Sequence, residues 1–294
     1  MVNSNMNPNL NSNMNSHLNP NLNFSGQRLR NRSFRGQDLS GANFNGCDLR
    51  GCDFRGAQLT GAVLDGARLG VSPERLGLGL ALGLALGGIT LHAVSLLGFA
   101  VLGVLPGHKA YGYALALYGV LGVLGLVPLG LAAWGRERWG LLLSASLTGM
   151  LWGFCYGGLA SGDNARLALG AMGLGEAVGL LGGAIVRQPW IRGSLWGATA
   201  VGAYGFAFLV HTQAMALLSS GDWGRGIWGL GGVLLYGGLT LGALRLGVAG
   251  ILTGARSSFW GATVAGTSWR GIGRSQLDRC FVAVADLGSD DDRG

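Results

Sequence analysis

A bulky apolar residue recurs at every fifth position of the chain from Phe24 to Leu69. A glycine follows most of these residues by two positions, and an alanine or cysteine precedes those of the second half by two. A period of five matches neither the 3.6-residue repeat of a helix nor the two-residue repeat of a strand. It requires a turn in every repeat, so it predicts a solenoid. The predicted core positions are Phe24, Leu29, Phe34, Leu39, Phe44, Leu49, Phe54, Leu59, Leu64 and Leu69.

The pentads read small–polar–Leu/Phe–x–Gly, as in ANFNG at 42–46, CDLRG at 47–51 and AQLTG at 57–61. This consensus resembles that of the pentapeptide-repeat family. The resemblance implies a mixed fold, with a right-handed quadrilateral β-helix of about four pentads per coil. One large and one small inward side chain on each side would fill such a narrow interior at native density.

The five-residue pattern returns far downstream, in pentads centred on Phe259, Val264 and Trp269. Weaker pentads follow, centred on Leu277, Val282 and Leu287. Two arrangements are open: these pentads either stack on the first ten as one interrupted β-helix, or they form a separate piece on the membrane. We favour stacking, because it would cover an otherwise bare coil end.

The middle of the chain contains six apolar runs, each long enough at 1.5 Å per residue to cross a hydrocarbon layer of about 30 Å. Charged residues make up only 12% of the chain, about half the share in a soluble domain. The sequence therefore predicts a six-span α-helical transmembrane bundle. With the pentads, this bundle makes the chain similar to the membrane-anchored pentapeptide-repeat proteins found in cyanobacteria. The runs lie at roughly 77–104, 111–134, 139–160, 167–186, 194–219 and 227–252.

An even number of spans places both termini on one side of the membrane. The loops on that side carry more arginines than the opposite loops, which predicts cytoplasmic termini in a plasma or thylakoid membrane. No secretory signal is expected, since the first apolar run begins only near Leu76. The predicted segments are a flexible Asn-rich tail at 1–23, the β-helix at 24–75, the bundle at 76–254, C-terminal coils at 255–289 and an acidic tail at 290–294.

Three spans carry glycines in a GxxxGxxxG ladder, beginning at Gly79, Gly149 and Gly175. Such ladders let helices approach closely in lipid. Packing within one bundle is the favoured interpretation, and self-association of copies through the same faces is the alternative.

Four ionisable residues lie within predicted spans, namely Glu176, Arg245, His92 and His211. A charge at the bilayer centre costs roughly 2.5–3.5 kcal/mol, so Glu176 is either a hydrogen-bonded structural group or a functional one. Arg245 either extends to the interface or reaches toward Glu176. The histidines are expected to form helix–helix hydrogen bonds rather than to bind a metal, haem or pigment.

The sequence contains no catalytic motif, so we expect a non-enzymatic protein without a cofactor or metal. Cys47, Cys52 and Cys280 occupy the small position of a pentad, and Cys155 lies in a span; each is expected to act as a small buried hydrophobe. Nucleic acid is not an expected partner, and residues 24–75 lack the acidic excess of the family members that mimic DNA. We expect a membrane-anchored scaffold that presents a short β-helix to unknown protein partners at the cytoplasmic face. The alternative is a transport or lipid-export component with a polar path near Glu176 and Arg245.

Overall fold

The computed structural model describes residues 22–104, 107–109, 111–162, 164–186 and 188–272. The described residues form two compact units, one within residues 1–76 and 254–294 and the other within residues 77–253. Residues 1–21 of the Asn-rich tail, the weaker C-terminal pentads and the acidic tail lie outside the described residues.

Parallel bridges stack the pentads of the first unit into coils. Asn23 pairs with Asn43, and the same offset continues along the chain to Asp48 and Arg68. Each residue thus pairs with the one four pentads later, so a coil contains four pentads, one on each of four sides. The pairing consists of isolated bridges, and no residue in the described ranges belongs to a longer strand, because a turn follows in every pentad.

The turn of each pentad uses a residue in the left-handed region. Gly46 has a φ of 65°, and Asn31, which stands at a glycine position of the repeat, has a φ of 62°. Asparagine reaches this conformation more readily than most other residues with a Cβ. At Gly51 space is also limiting, because an added Cβ would overlap the side chain of Asn31.

Residues 257–271 continue the same stack of coils. Ser258 forms a parallel bridge with Asp53, and further bridges join Thr263 to Gln58 and Ser268 to Val63. In an uninterrupted stack Asp53 would pair with the residue four pentads later, and Ser258 takes that place from beyond the helices. The coil register is therefore kept across the insertion.

The chain leaves and rejoins the stack at one place. Val71 and Arg256 form an antiparallel bridge. Next to it, the backbone N–H of Ser72 donates to the carbonyl oxygen of Ala255 at 2.8 Å, and that of Ser257 donates to Gly70 at 3.0 Å. These bonds pair the backbone of the departing segment with that of the returning one.

The interior of the coils is filled by the central residue of each pentad. Phe54 stacks between Phe34 and Phe259, with ring centroids 5.0 and 4.7 Å away. Phe24 and Trp269 are only partly buried, because they lie in the first and last coils that are described. The buried central residues are Leu29, Phe34, Leu39, Phe44, Leu49, Phe54, Leu59, Leu64, Leu69, Phe259 and Val264.

The small position of several pentads also carries a hydrogen-bond donor. The buried free thiols of Cys47 and Cys52 donate to the carbonyl oxygens of Phe24, at 2.8 Å, and Leu29, at 3.0 Å. The hydroxyl of Ser257 makes the equivalent bond to Leu49 at 2.8 Å. These side chains satisfy backbone carbonyls of the preceding coil.

The prediction of six long apolar helices is confirmed, and each is long and apolar enough to cross a membrane. The helices are α1 (Pro73–Val101), α2 (Tyr111–Ala133), α3 (Glu137–Ala160), α4 (Ala165–Ile185), α5 (Pro189–Ser219) and α6 (Trp223–Ala255). Several begin or end beyond the apolar runs, because helical backbone continues into the polar flanks. α1 and α5 begin at a proline, the residue favoured at the first helical position.

The glycine ladders pack helices of this chain against one another. A Cβ added at Gly149 on α3 would overlap the carbonyl oxygen of Gly175 on α4, and one added at Gly175 would overlap that of Gly149. On α1, Gly83 lies against Ser194 of α5. The close approach of α3 and α4 therefore requires residues without side chains.

Candidate interaction surface and polar groups of the helices

The structure does not bring Glu176 and Arg245 together. Glu176 lies on the exposed side of α4, where its Oε1 is 3.5 Å from the Oγ of Ser146 on α3. Arg245 is exposed on α6 and takes part in none of the ion pairs found among the described residues. These positions do not form a shared charged site.

Both histidines are exposed, His92 on α1 and His211 on α5, and His92 also contacts a neighbouring helix. The Nδ1 of His92 is 2.9 Å from the hydroxyl of Tyr156 on α3, and the two rings stack with centroids 5.9 Å apart. The Tyr156 hydroxyl also donates to the carbonyl oxygen of Ile89 at 3.3 Å. His92 therefore joins α1 to α3 through a polar aromatic pair.

None of these four residues lines either of two cavities in the helical unit. The larger cavity has a volume of about 950 Å³ and lies among α1, α2, α3 and α4, and the smaller has about 190 Å³ and lies between α1 and α5. Within the described ranges, no group of three or more His, Cys, Asp or Glu side chains could hold a metal ion.

The stacked pentads present four outer faces, which follow from the four-pentad coil. We number them by the central residues of their pentads. Face 1 contains Phe24, Phe44, Leu64 and Trp269; face 2 contains Leu29, Leu49 and Leu69; face 3 contains Phe34, Phe54 and Phe259; face 4 contains Leu39, Leu59 and Val264.

Arginines occupy two neighbouring faces of the four. The outward positions beside the central residues of faces 1 and 4 hold mainly Asn, Ser, Thr and Gln, with Arg270 as the one arginine among the described residues. On faces 2 and 3 the arginines outnumber the two acids, Asp48 and Asp53, so the net charge of these faces is positive. The arginines of these two faces are Arg28, Arg30, Arg50 and Arg68 on face 2, Arg35 and Arg55 on face 3, and Arg32, which stands in the small position of the face 3 pentad centred on Phe34.

Two carboxylates hold three of the four arginines of face 2. The Asp48 carboxylate accepts from Arg30 Nε at 2.6 Å and from Arg50 Nη2 at 2.8 Å. The Glu74 carboxylate accepts from Arg30 Nη1 at 2.7 Å and from Arg28 at 2.9 Å. Arg30 is thus shared by two acids, which holds its guanidinium in one orientation.

On face 3, Arg55 and Asp53 form a bidentate pair with distances of 2.8 and 2.6 Å. Burial acts to raise the pKa of Asp53, but hydrogen bonds from the side chain and backbone of Arg55 outweigh it, and the pKa lies below its ordinary value. The side-chain hydrogen bond to Asp53 raises the pKa of Arg55. Both groups therefore remain charged at neutral pH.

Other side chains of faces 2 and 3 extend into solvent. Arg32, Arg35 and Arg68 are exposed and belong to none of the ion pairs formed by the described residues. Trp260 is 71% exposed and follows Phe259, in the same outward position that Arg55 holds after Phe54. Face 3 thus combines exposed arginines with an exposed aromatic ring.

Residues 21–70 match the family model for pentapeptide repeats. The match comprises eight repeat copies in two overlapping segments, 21–56 and 38–70. No curated protein and no solved structure matches the chain. The pentads of 257–271 lie outside the matched residues, although they bridge to pentapeptide repeats at Asp53, Gln58 and Val63.

Sequence reasoning identified the residues inside the pentapeptide repeats but missed the uneven charge of their faces. Arg28 and Arg68 belong to the second and the tenth pentad of the chain, yet each bridges to Asp48 on the same face. Comparing the outward residues of every fourth pentad would have revealed this pattern, because four pentads complete one coil.

Proposed function

We propose that the protein is a non-enzymatic, membrane-anchored assembly protein that binds an acidic protein partner through faces 2 and 3 of its β-helix. The observation that carries the proposal is the collection of arginines on these neighbouring faces, beside the exposed Trp260. Arginine and tryptophan are enriched at the energetic centres of protein interfaces. A protein-interaction role is also what pentapeptide repeats suggest.

The ion pairs favour a protein partner over nucleic acid. Asp48 and Asp53 lie among the arginines and would face any phosphate brought to these faces. An acidic protein surface can place its carboxylates at Arg32, Arg35 and Arg68 and leave the internal pairs intact.

The proposal also specifies the form of the coil, the membrane that the helices cross and the side on which the termini lie. We take the coil to be a right-handed quadrilateral β-helix and the six helices to cross a plasma or thylakoid membrane with both termini in the cytoplasm. The arginine-rich loops on the side of the termini support this orientation. The combination resembles the membrane-anchored pentapeptide-repeat proteins of cyanobacteria.

Co-purification of the full chain in mild detergent tests the proposed interface. The test variant is Arg32→Gln/Arg35→Gln/Arg68→Gln, which removes exposed charges without breaking an ion pair. We expect an acidic protein to co-purify with the wild type in stoichiometric amount and to elute as the salt concentration rises. The amount that co-purifies with the variant should be about tenfold lower.

The matched control is Ser25→Gln/Thr60→Gln/Thr263→Gln, which places three glutamines on faces 1 and 4. It should retain the partner at the wild-type level. Equal loss in both variants, equal retention in both, or release of the bound material by nuclease would contradict the proposal.

The alternative of a transport or lipid-export component lacks comparable support. That function would require a polar path near Glu176 and Arg245. Glu176 is exposed on α4 and Arg245 is exposed on α6, and neither lines the two cavities described above.

A further inference from the structure

The larger cavity of the helical unit has the size and composition of a lipid-chain site. Its volume of about 950 Å³ lies at the upper end of the range of about 300–1,000 Å³ that ligand pockets occupy. The walls are apolar side chains from four helices, including Leu97, Leu117, Phe154 and Met172. An apolar cavity holds water poorly, so an apolar occupant is favoured.

One cation stands among these apolar walls. Lys109, just before α2, is the single lysine of the chain and contributes to the lining of the cavity. It lies in the connection between α1 and α2, where a lipid headgroup would be found if these helices cross a membrane. A long lysine side chain can place its ammonium at headgroup depth while its methylenes line apolar surface.

We propose that the cavity binds the acyl chains of an anionic phospholipid, whose headgroup phosphate pairs with the Lys109 ammonium. The apolar walls select a hydrocarbon chain, and the single cation selects a negative headgroup over a zwitterionic one. This site is separate from the proposed protein-binding faces, and it does not depend on the polar path of the alternative function. It is therefore independent of the proposed scaffold role.

Photolabelling of the purified full chain tests the site. The probes are phosphatidylglycerol and phosphatidylcholine, each with a diazirine near the end of one acyl chain, in mixed detergent micelles. We expect phosphatidylglycerol to label peptides of α1 to α4 that line the cavity, about fivefold more than phosphatidylcholine does. Lys109→Gln should abolish this preference, whereas Arg166→Gln, at the start of α4 and outside the lining, should leave it unchanged.

A second pair of variants tests whether the chain enters the cavity. Ala116 is an exposed residue of α2 that lines the cavity, so Ala116→Trp fills the cavity without inserting bulk into a packed interface. It should reduce labelling at least about tenfold, whereas Ala249→Trp on the exposed side of α6 should not. Gel filtration of both variants checks that they remain folded.

Three results would overturn the proposal. The first is equal labelling by the two lipids in the wild type. The second is labelling spread over the outer helix surfaces and unchanged in Ala116→Trp, the result for ordinary boundary lipid. The third is a preference for phosphatidylglycerol that Lys109→Gln does not alter.

Discussion

At the residue scale, the position two before each central apolar residue joins one coil to the next. Cys52 and Ser257 occupy this position in successive coils of face 3, and each donates to a backbone carbonyl of the coil before it. The cysteines thus fill the space of an alanine and also satisfy an acceptor. This role needs a protonated thiol, because a thiolate cannot donate.

The first prediction concerns the reactivity of Cys52. Burial raises the pKa of its thiol to about 12, so at pH 8.5 its thiolate fraction is about 10³-fold below that of an unperturbed thiol. We expect iodoacetamide to modify Cys52 at least that much more slowly in the folded protein than in the denatured one. Mass spectrometry of a variant that keeps Cys52 as its sole cysteine measures both rates.

The sign of the pH effect follows from the direction of this shift. A pKa raised by folding leaves stability unchanged below the ordinary thiol pKa of about 8.5 and lowers it progressively as the pH rises from there toward 12. Labelling of the folded protein at the denatured rate would show that Cys52 is not enclosed as the structure places it.

At the scale of elements, α3 and α4 pack backbone to backbone. Gly149 and Gly175 face each other, and Gly153 faces the carbonyl oxygen of Ala171. Other glycines of α4 have open space around them, including Gly173. Glycines of one helix therefore divide into those that the packing requires and those that it does not.

The second prediction uses this division. Gly175→Leu should separate α3 from α4 and lower the free energy of unfolding by at least about 1–3 kcal/mol, the usual cost of overpacking. Gly173→Leu adds the same side chain to the same helix without a clash, so it should leave stability unchanged or raise it slightly. Thermal unfolding in detergent compares the two, and equal losses of stability would contradict the packing.

At the scale of the whole molecule, the solenoid is built from two distant parts of the chain. Phe259 is 1% exposed and stacks on Phe54, although all six helices separate the two in sequence. The returning pentads cover Phe54, Leu59 and Leu64, which would otherwise lie at the end of the stack. We therefore expect the stability of the first ten pentads to depend on residues that are made much later.

The third prediction tests this dependence. Phe259→Ala removes a buried aromatic ring and should destabilise the solenoid by about 3–5 kcal/mol, which limited proteolysis would detect as faster cleavage within residues 24–71. Trp260→Ala changes the adjacent but exposed ring and should leave cleavage near the wild-type rate. Deletion of 257–289 should act like Phe259→Ala, and unchanged protection in the deletion variant would show that the first pentads are stable alone.

The sequence reveals the repeat period of the fold more readily than it reveals which repeats lie side by side in three dimensions. The pentads and the six helices could be predicted because each has a regular apolar repeat. The pairing of Asp53 with Ser258 could only be favoured over a separate placement, because the long helical insertion between them carries no pattern that fixes the register on its far side.

For the candidate sites too, the sequence reveals the residues but not how packing places them. Glu176 and Arg245 are conspicuous as charges within apolar runs, but the direction in which each helix faces depends on packing that the sequence does not reveal. The cavity beside Lys109 is defined by four helices together, so no single segment indicates it. The charged faces follow from the sequence only after the coil length is known.

The placement of the six helices between Asp53 and Ser258 also sets an order of events during synthesis. The ribosome must produce all six helices before Ser258 exists to pair with Asp53. Until then no coil covers Phe54, and exposed apolar surface with unpaired backbone groups makes an incomplete fold prone to aggregation. The last coil can therefore close only after the entire insertion has been translated and the two segments that flank it have met at Val71 and Arg256.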